Sequence, residues 1–132
     1  MKMVDIRKKY NLKEIRVYMG VFDYVVIVAV GDRKKVHEYV SFKFEDSEFT
    51  EVVTEFVRGK TYHRVGYCPI IWIPRIPKTP REYATLAHEA LHATYHLFDW
   101  VGLEANHETE EVMAHSMAHI INSVLDLEEQ KK

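Results

Sequence analysis

Apolar residues first fall into a repeating pattern at Ile15, Val17 and Met19, which alternate with charged or aromatic neighbours at the period of two expected of a strand. The run Tyr24-Val25-Val26-Ile27-Val28-Ala29-Val30 follows without a polar break and predicts a strand buried on both faces. Gly31-Asp32 punctuates it. Val36 to Phe44 then resumes with Val40, Phe42 and Phe44 on one face, which predicts a third strand and hence an antiparallel meander. The residues before Leu12 carry too thin a pattern to assign. Phe49, Val52, Val53, Phe56 and Val57 recur at helical spacing, and predict an amphipathic helix with Asp46 or Ser47 as N-cap and Gly59 at its stop.

Further on, Ile70-Ile71-Trp72-Ile73 has the β-branched character of a short strand, and the flanking Pro69 and Pro74 suit a sheet edge. A helix start is strongly marked after it. Thr79, Pro80 and Glu82 spell a capping box with proline at the first helical position, and predict a helix from about Pro80 to Trp100 or Val101, ended by Gly102. A last helix opens near Asn106, carries Glu108, Glu110 and Glu111 where the helix dipole favours negative charge, and runs to about Leu127. Its apolar stripe includes Val112, Met113, Met117, Ile120, Ile121, Val124 and Leu125. The expected fold is α+β: a small antiparallel or mixed sheet of about four strands, one middle helix and two C-terminal helices.

Composition sharpens this picture at a few points. A chain of 132 residues that is 47% hydrophobic can bury one core, so a single domain over residues 1–132 is expected. A formal charge of -2 offers no large basic field for a phosphate backbone, so nucleic acid is not expected as a partner. The lone Cys68 cannot form an internal disulfide and is most simply a small buried apolar residue. The start Met1-Lys2-Met3-Val4-Asp5-Ile6-Arg7 has no signal-peptide apolar core, which together predict an intracellular, cytoplasmic setting. The run from Tyr24 to Val30 is far short of the roughly twenty residues that span a bilayer, so no membrane is expected.

Histidine is where the sequence becomes specific, since six of its eight histidines fall between His88 and His119. Within the capped helix stands His88-Glu89-Ala90-Leu91-His92. The four-residue spacing puts both imidazoles on one face a turn apart, where they can converge on one ion, and Glu89 lies beside that pair. Zinc accepts neutral imidazole nitrogen, and a catalytic zinc takes three protein ligands and leaves a fourth position for water. Glu111 is best placed as the third: eighteen residues separate it from His92, and it lies in the first turns of the following helix. Glu108 and Glu110, within one turn, are its rivals.

Over roughly residues 79–125 this pattern resembles the gluzincin metallopeptidases, whose signature is His-Glu-x-x-His followed by a glutamate on a second helix. The resemblance implies His88, His92 and Glu111 as ligands of Zn2+, Glu89 as the general base acting on a zinc-bound water, and a peptide or protein substrate. It implies a minimal one-domain zincin-like form, like small viral or bacterial members. Ala114 matches the small residue often found three positions after the ligand glutamate. His115 stands where thermolysin-like members carry an aspartate, so the groups that orient the ligands must differ.

His96 extends the face of the pair as a candidate further ligand, although a polar residue near a helix end is the simpler reading. His115 and His119 are candidate donors to the site or ordinary hydrogen-bonded histidines; Tyr95 and His107 are open in the same way, with a surface role simpler for His107. Phe98, six residues after His92, argues against the metzincin arrangement. Trp72 and its strand could pair with an extended peptide, or the tryptophan could pack in the core against the histidine-bearing helix. The expected function is zinc-dependent peptide hydrolysis. The alternative is a non-catalytic zinc-binding module acting through protein contacts, as a viral or host-directed accessory factor does.

Overall fold

A computed structural model describes residues 9–46 and 57–129 of the chain. Strand β1 (Leu12–Met19) and strand β2 (Tyr24–Gly31) form an antiparallel hairpin in register from Leu12 opposite Gly31 to Met19 opposite Tyr24. A 3-10 turn over Gly20–Phe22 joins them, closed by Asp23 in the left-handed region at φ 49°. A short polar side chain tolerates that conformation, and here the Asp23 carboxylate accepts a 2.9 Å bond from the Tyr18 hydroxyl.

Helix α1 (Arg33–Lys43) comes next, where the sequence suggests a third strand. Val36, Tyr39 and Val40 are its buried residues, at i, i+3 and i+4, and Phe44 is buried just past its end, whereas Phe42 is 41% exposed. The helical period therefore overrides the alternation of Val40, Phe42 and Phe44. Asp32 supplies the cap, its carboxylate accepting from the Lys34 backbone N–H at 2.9 Å. The expected meander reduces to the β1–β2 hairpin. The expected helix over 49–57 lies outside the described residues but for Val57, which is in irregular chain.

Strand β3 (Lys60–Tyr62) and strand β4 (Ile70–Ile73) complete a mixed four-stranded sheet in the order β1-β2-β4-β3. β4 runs parallel to β2, from Ile27 opposite Ile70 to Val30 opposite Ile73, and antiparallel to β3. The proline-flanked strand is thus interior, not an edge. Pro69 and Pro74 sit just outside its four residues, where a missing N–H breaks no ladder bond, and the Pro69 carbonyl itself accepts from Ile27 N at 3.0 Å. The edge belongs to β3, three residues in a stretch that reads as a polar loop.

Helix α2 (Pro80–Val101) and helix α3 (Glu110–Glu129) pack against one face of the sheet, in the positions expected. Their core gathers Ile15, Val17, Val26, Val28, Ile71 and Ile73 from the strands with Leu86, Ala90, Ala93 and Leu97 from α2 and Ile120 and Val124 from α3. α1 covers the other face, over Leu12, Ile27, Ala29, Ile70 and Trp72. β2 is accordingly apolar on both sides. The fold is α+β, with four strands and three helices among the described residues. Among these residues no helix is long and apolar enough to cross a membrane.

One charge is built into this frame. Glu14 of β1 is only 5% exposed, yet it accepts hydrogen bonds from Tyr39 and Arg16 and pairs with Lys43 Nζ at 2.8 Å, which ties β1 to α1. Burial alone would raise its pKa, but the hydrogen bonds from Lys43, Tyr39 and Arg16 and the Lys43 charge outweigh it and hold the carboxyl below its ordinary value. A carboxyl depressed in the folded state stabilises fully above its unfolded pKa and loses that contribution as pH falls through the folded one. Glu14→Gln should therefore cost about 3 kcal/mol at neutral pH, by leaving Lys43 without its carboxylate. Urea melts from pH 7 down to pH 3 should show the gap between wild type and variant closing with acid; a gap independent of pH would exclude this account.

Candidate metal centre

The candidate site is built on α2, whose start and end are both fixed by its sequence. Thr79 accepts from the Glu82 N–H at 3.3 Å and Glu82 Oε1 accepts from the Thr79 N–H at 3.1 Å, while Gly102 takes φ 76° at the other end. With Leu86, Ala90, Ala93 and Leu97 turned to the sheet, positions 88 and 92 face outward. The small alanines let the helix lie close to the strands beneath it.

His88 and His92 converge as the spacing predicts. Their Nε2 atoms lie 3.2 Å apart with the rings inclined at 73°. Two nitrogens each about 2.05 Å from one tetrahedral zinc stand about 3.3 Å apart. The pair therefore has the separation that a shared ion demands, and both side chains face solvent, from which an ion can enter.

Glu89, next to His88 in the helix, is 6% exposed. Its Oε1 accepts from Thr61 Oγ1 of β3 at 2.9 Å, and the same hydroxyl lies 3.0 Å from the Glu89 carbonyl oxygen. Oε2 is left 3.9 Å from His88 Nε2. The approach of β3 to α2 depends on Gly59, because a Cβ there would come within 2.7 Å of Thr85 Cγ2 and 3.4 Å of Glu89 Cγ. Gly59 is expected as a helix stop; its role in the structure is close approach. Neither Thr61 nor this use of Gly59 is visible in the sequence, since both depend on a three-residue strand meeting a distant helix.

No protein-family model, curated protein or solved structure matches the chain. The resemblance to gluzincins rests on the residues already named.

Glu111 is not gathered with the histidine pair. It lies in the first turn of α3, 87% exposed, with Oε2 at 3.4 Å from His115 Nε2. Past His92, α2 continues to Val101, a rise of about 13 Å, before the chain turns, which carries the start of α3 beyond the level of the pair. Its rival Glu110 is beside His107 at 3.3 Å, and Glu108 is exposed. Among the described residues no group of three or more His, Cys, Asp or Glu is placed to hold a metal. Of the three expected ligands, the structure brings together only His88 and His92.

The remaining candidates divide. His119 Nε2 donates to the Tyr18 carbonyl at 2.9 Å, an ordinary structural bond between α3 and β1. Trp72 is fully buried, but on the α1 side of the sheet, with its Nε1 donating to the Gly31 carbonyl at 3.0 Å. It does not pack on the histidine-bearing helix. Phe98 is buried, Tyr95 exposed, and Cys68 half-buried.

His96 is stacked on His63, which follows β3, with centroids 3.8 Å apart and ring planes 9° from parallel. Parallel rings aim their nitrogen lone pairs along parallel planes and do not chelate one ion. Burial first, then His63, hold the His96 pKa below its ordinary value; Asp99 opposes them, and His92 adds a lesser lowering. His63→Ala removes a covering ring and a neighbouring charge, so His96 should titrate at a higher pH in that variant. An NMR titration of the imidazole resonances measures it, and an unmoved or lowered pKa would sink the explanation.

Proposed function

We propose that the chain is a zinc-dependent hydrolase of peptide bonds, in which His88 and His92 hold the ion and Glu89 is the general base. The observation that carries this reading is the 3.2 Å approach of the two Nε2 atoms, with the buried Glu89 carboxylate 3.9 Å from that of His88. Bound there, zinc would supply a Lewis acid for the carbonyl and a water of pKa near 7. The chain's own part is proton transfer and positioning.

Thr61 holds Oε1 of Glu89 and so fixes the carboxylate plane, leaving Oε2 to take a proton from the attacking water and pass it to the departing amine. Glu111 stands outside this assignment. The second reading, a zinc-binding module that works by protein contacts, uses the same two histidines; either reading requires ligands beyond the pair gathered among the described residues.

Metal analysis with variants separates the two. Zinc should bind the wild type and Glu89→Gln alike and be lost from His88→Ala and His92→Ala. Cleavage of a peptide library, followed by mass spectrometry, should fall about a hundredfold or more in Glu89→Gln. Zinc without cleavage in the wild type would favour the module, and no zinc uptake would end both readings. Thr61→Val should lower kcat about tenfold with zinc content unchanged, the loss of one hydrogen bond that orients the base. An unchanged kcat would show that Thr61 does not position Glu89.

A further inference from the structure

Beside the N-terminal end of α2 lies a cavity of about 380 Å³ whose wall holds, among the described residues, four arginines, Arg33, Arg58, Arg75 and Arg81, and a single carboxylate, Glu82. Arg75 is bound to Glu82, so these two cancel. Among the described residues no carboxylate pairs with the other three. Arg33 is the most constrained of them: its Nη2 donates to the Val57 carbonyl at 2.9 Å and its guanidinium lies 5.8 Å from the Trp72 ring centroid. Its Nε is buried and has no hydrogen-bond partner among the described residues. A buried donor without an acceptor costs stability, and three like charges around one concavity repel. A multiply charged oxyanion in the cavity relieves the repulsion.

The cavity also opens toward the candidate metal centre. A second concavity, lined by Arg58, Gly59, Arg81, Thr85, His88 and Glu89, shares Arg58, Arg81 and Thr85 with the first. Arg81 and His88 are two helical turns apart, about 10 Å along the axis. One ligand can therefore place an anionic group among the arginines and reach the histidines with about three residues' length of extended chain.

We propose that this cavity is an oxyanion subsite for a phosphate group, the anchor of the ligand that occupies the groove leading to His88 and Glu89. Arginine forks match phosphate oxygens in pairs, and a net excess of three guanidinium groups suits a dianion better than a single carboxylate. The subsite does not depend on whether the histidine pair holds zinc.

The test uses the full chain freed of metal with a chelator, so that phosphate cannot bind through an ion. Inorganic phosphate is titrated calorimetrically at constant ionic strength into wild type, Arg58→Ala, Arg81→Ala and the His88→Ala/His92→Ala double variant. Both arginines are exposed, and unchanged circular dichroism checks that the variants fold. Saturable binding should weaken about tenfold in each arginine variant and be unaltered in the histidine variant. Succinate should bind at least tenfold more weakly than phosphate. Equal affinity for succinate would overturn the phosphate assignment. Binding unaffected by either arginine, absent from the wild type, or lost only with the histidines would overturn the subsite. Because metal is absent throughout, none of these outcomes depends on the hydrolase proposal.

Discussion

Parallel pairing of β2 with β4 is the constraint from which the rest of the structure follows. Two parallel neighbours cannot be joined by a tight turn, so the chain leaves the sheet after Gly31, re-enters it at the edge strand β3 and only then turns back into β4 at Ile70. α1 lies on one face of the sheet, with Val36, Tyr39 and Val40 against Ile27, Ala29, Ile70 and Trp72. The opposite face of the same strands, Val26, Val28, Ile71 and Ile73, is then left for α2 and α3. A strand apolar on one side only could not serve both layers. The uninterrupted run in β2 is therefore what allows a three-layer arrangement in so short a chain.

The same topology explains which parts of the fold are legible in the sequence. β1, β2, α2 and α3 each carry their signal within themselves: alternation, a continuous apolar run, a capping box, an acidic first turn. α1 is misread because Val40, Phe42 and Phe44 satisfy period two while Val36, Tyr39, Val40 and Phe44 satisfy the helical period equally well. Asp32 as an N-cap is the local clue that decides between them. The placement of β4 could not be read from its prolines, since a proline one residue outside a strand is compatible with interior and edge alike. β3 is too short to show any period; its strand character comes wholly from pairing with β4.

In the candidate site the division is similar. The convergence of His88 and His92 is a property of one helix, and four-residue spacing suffices to predict it. The environment of Glu89 is not local. Its hydrogen bond comes from Thr61 on a distant strand, and that strand lies close where Gly59 has no side chain to meet Thr85. Glu111 shows the limit of spacing as a guide between helices. Eighteen intervening residues fit a signature, but the distance they cover depends on where the first helix ends, and α2 runs on to Val101.

α2 carries both functional proposals as well as much of the core, and this couples them. Leu86, Ala90, Ala93 and Leu97 hold one side of a helix whose other side presents Arg81, Thr85, His88 and His92 within about three turns. A helix moves as a rod, so a shift that opens the sheet contact at Ala90 or Ala93 displaces the arginine and histidine ends together. Bulkier residues at these two alanines would overfill a buried contact and lift α2 from β4 and β3. Thr61 would then part from Glu89 even with every residue of the site intact. The geometry of the site is therefore set by alanines that take no part in its chemistry.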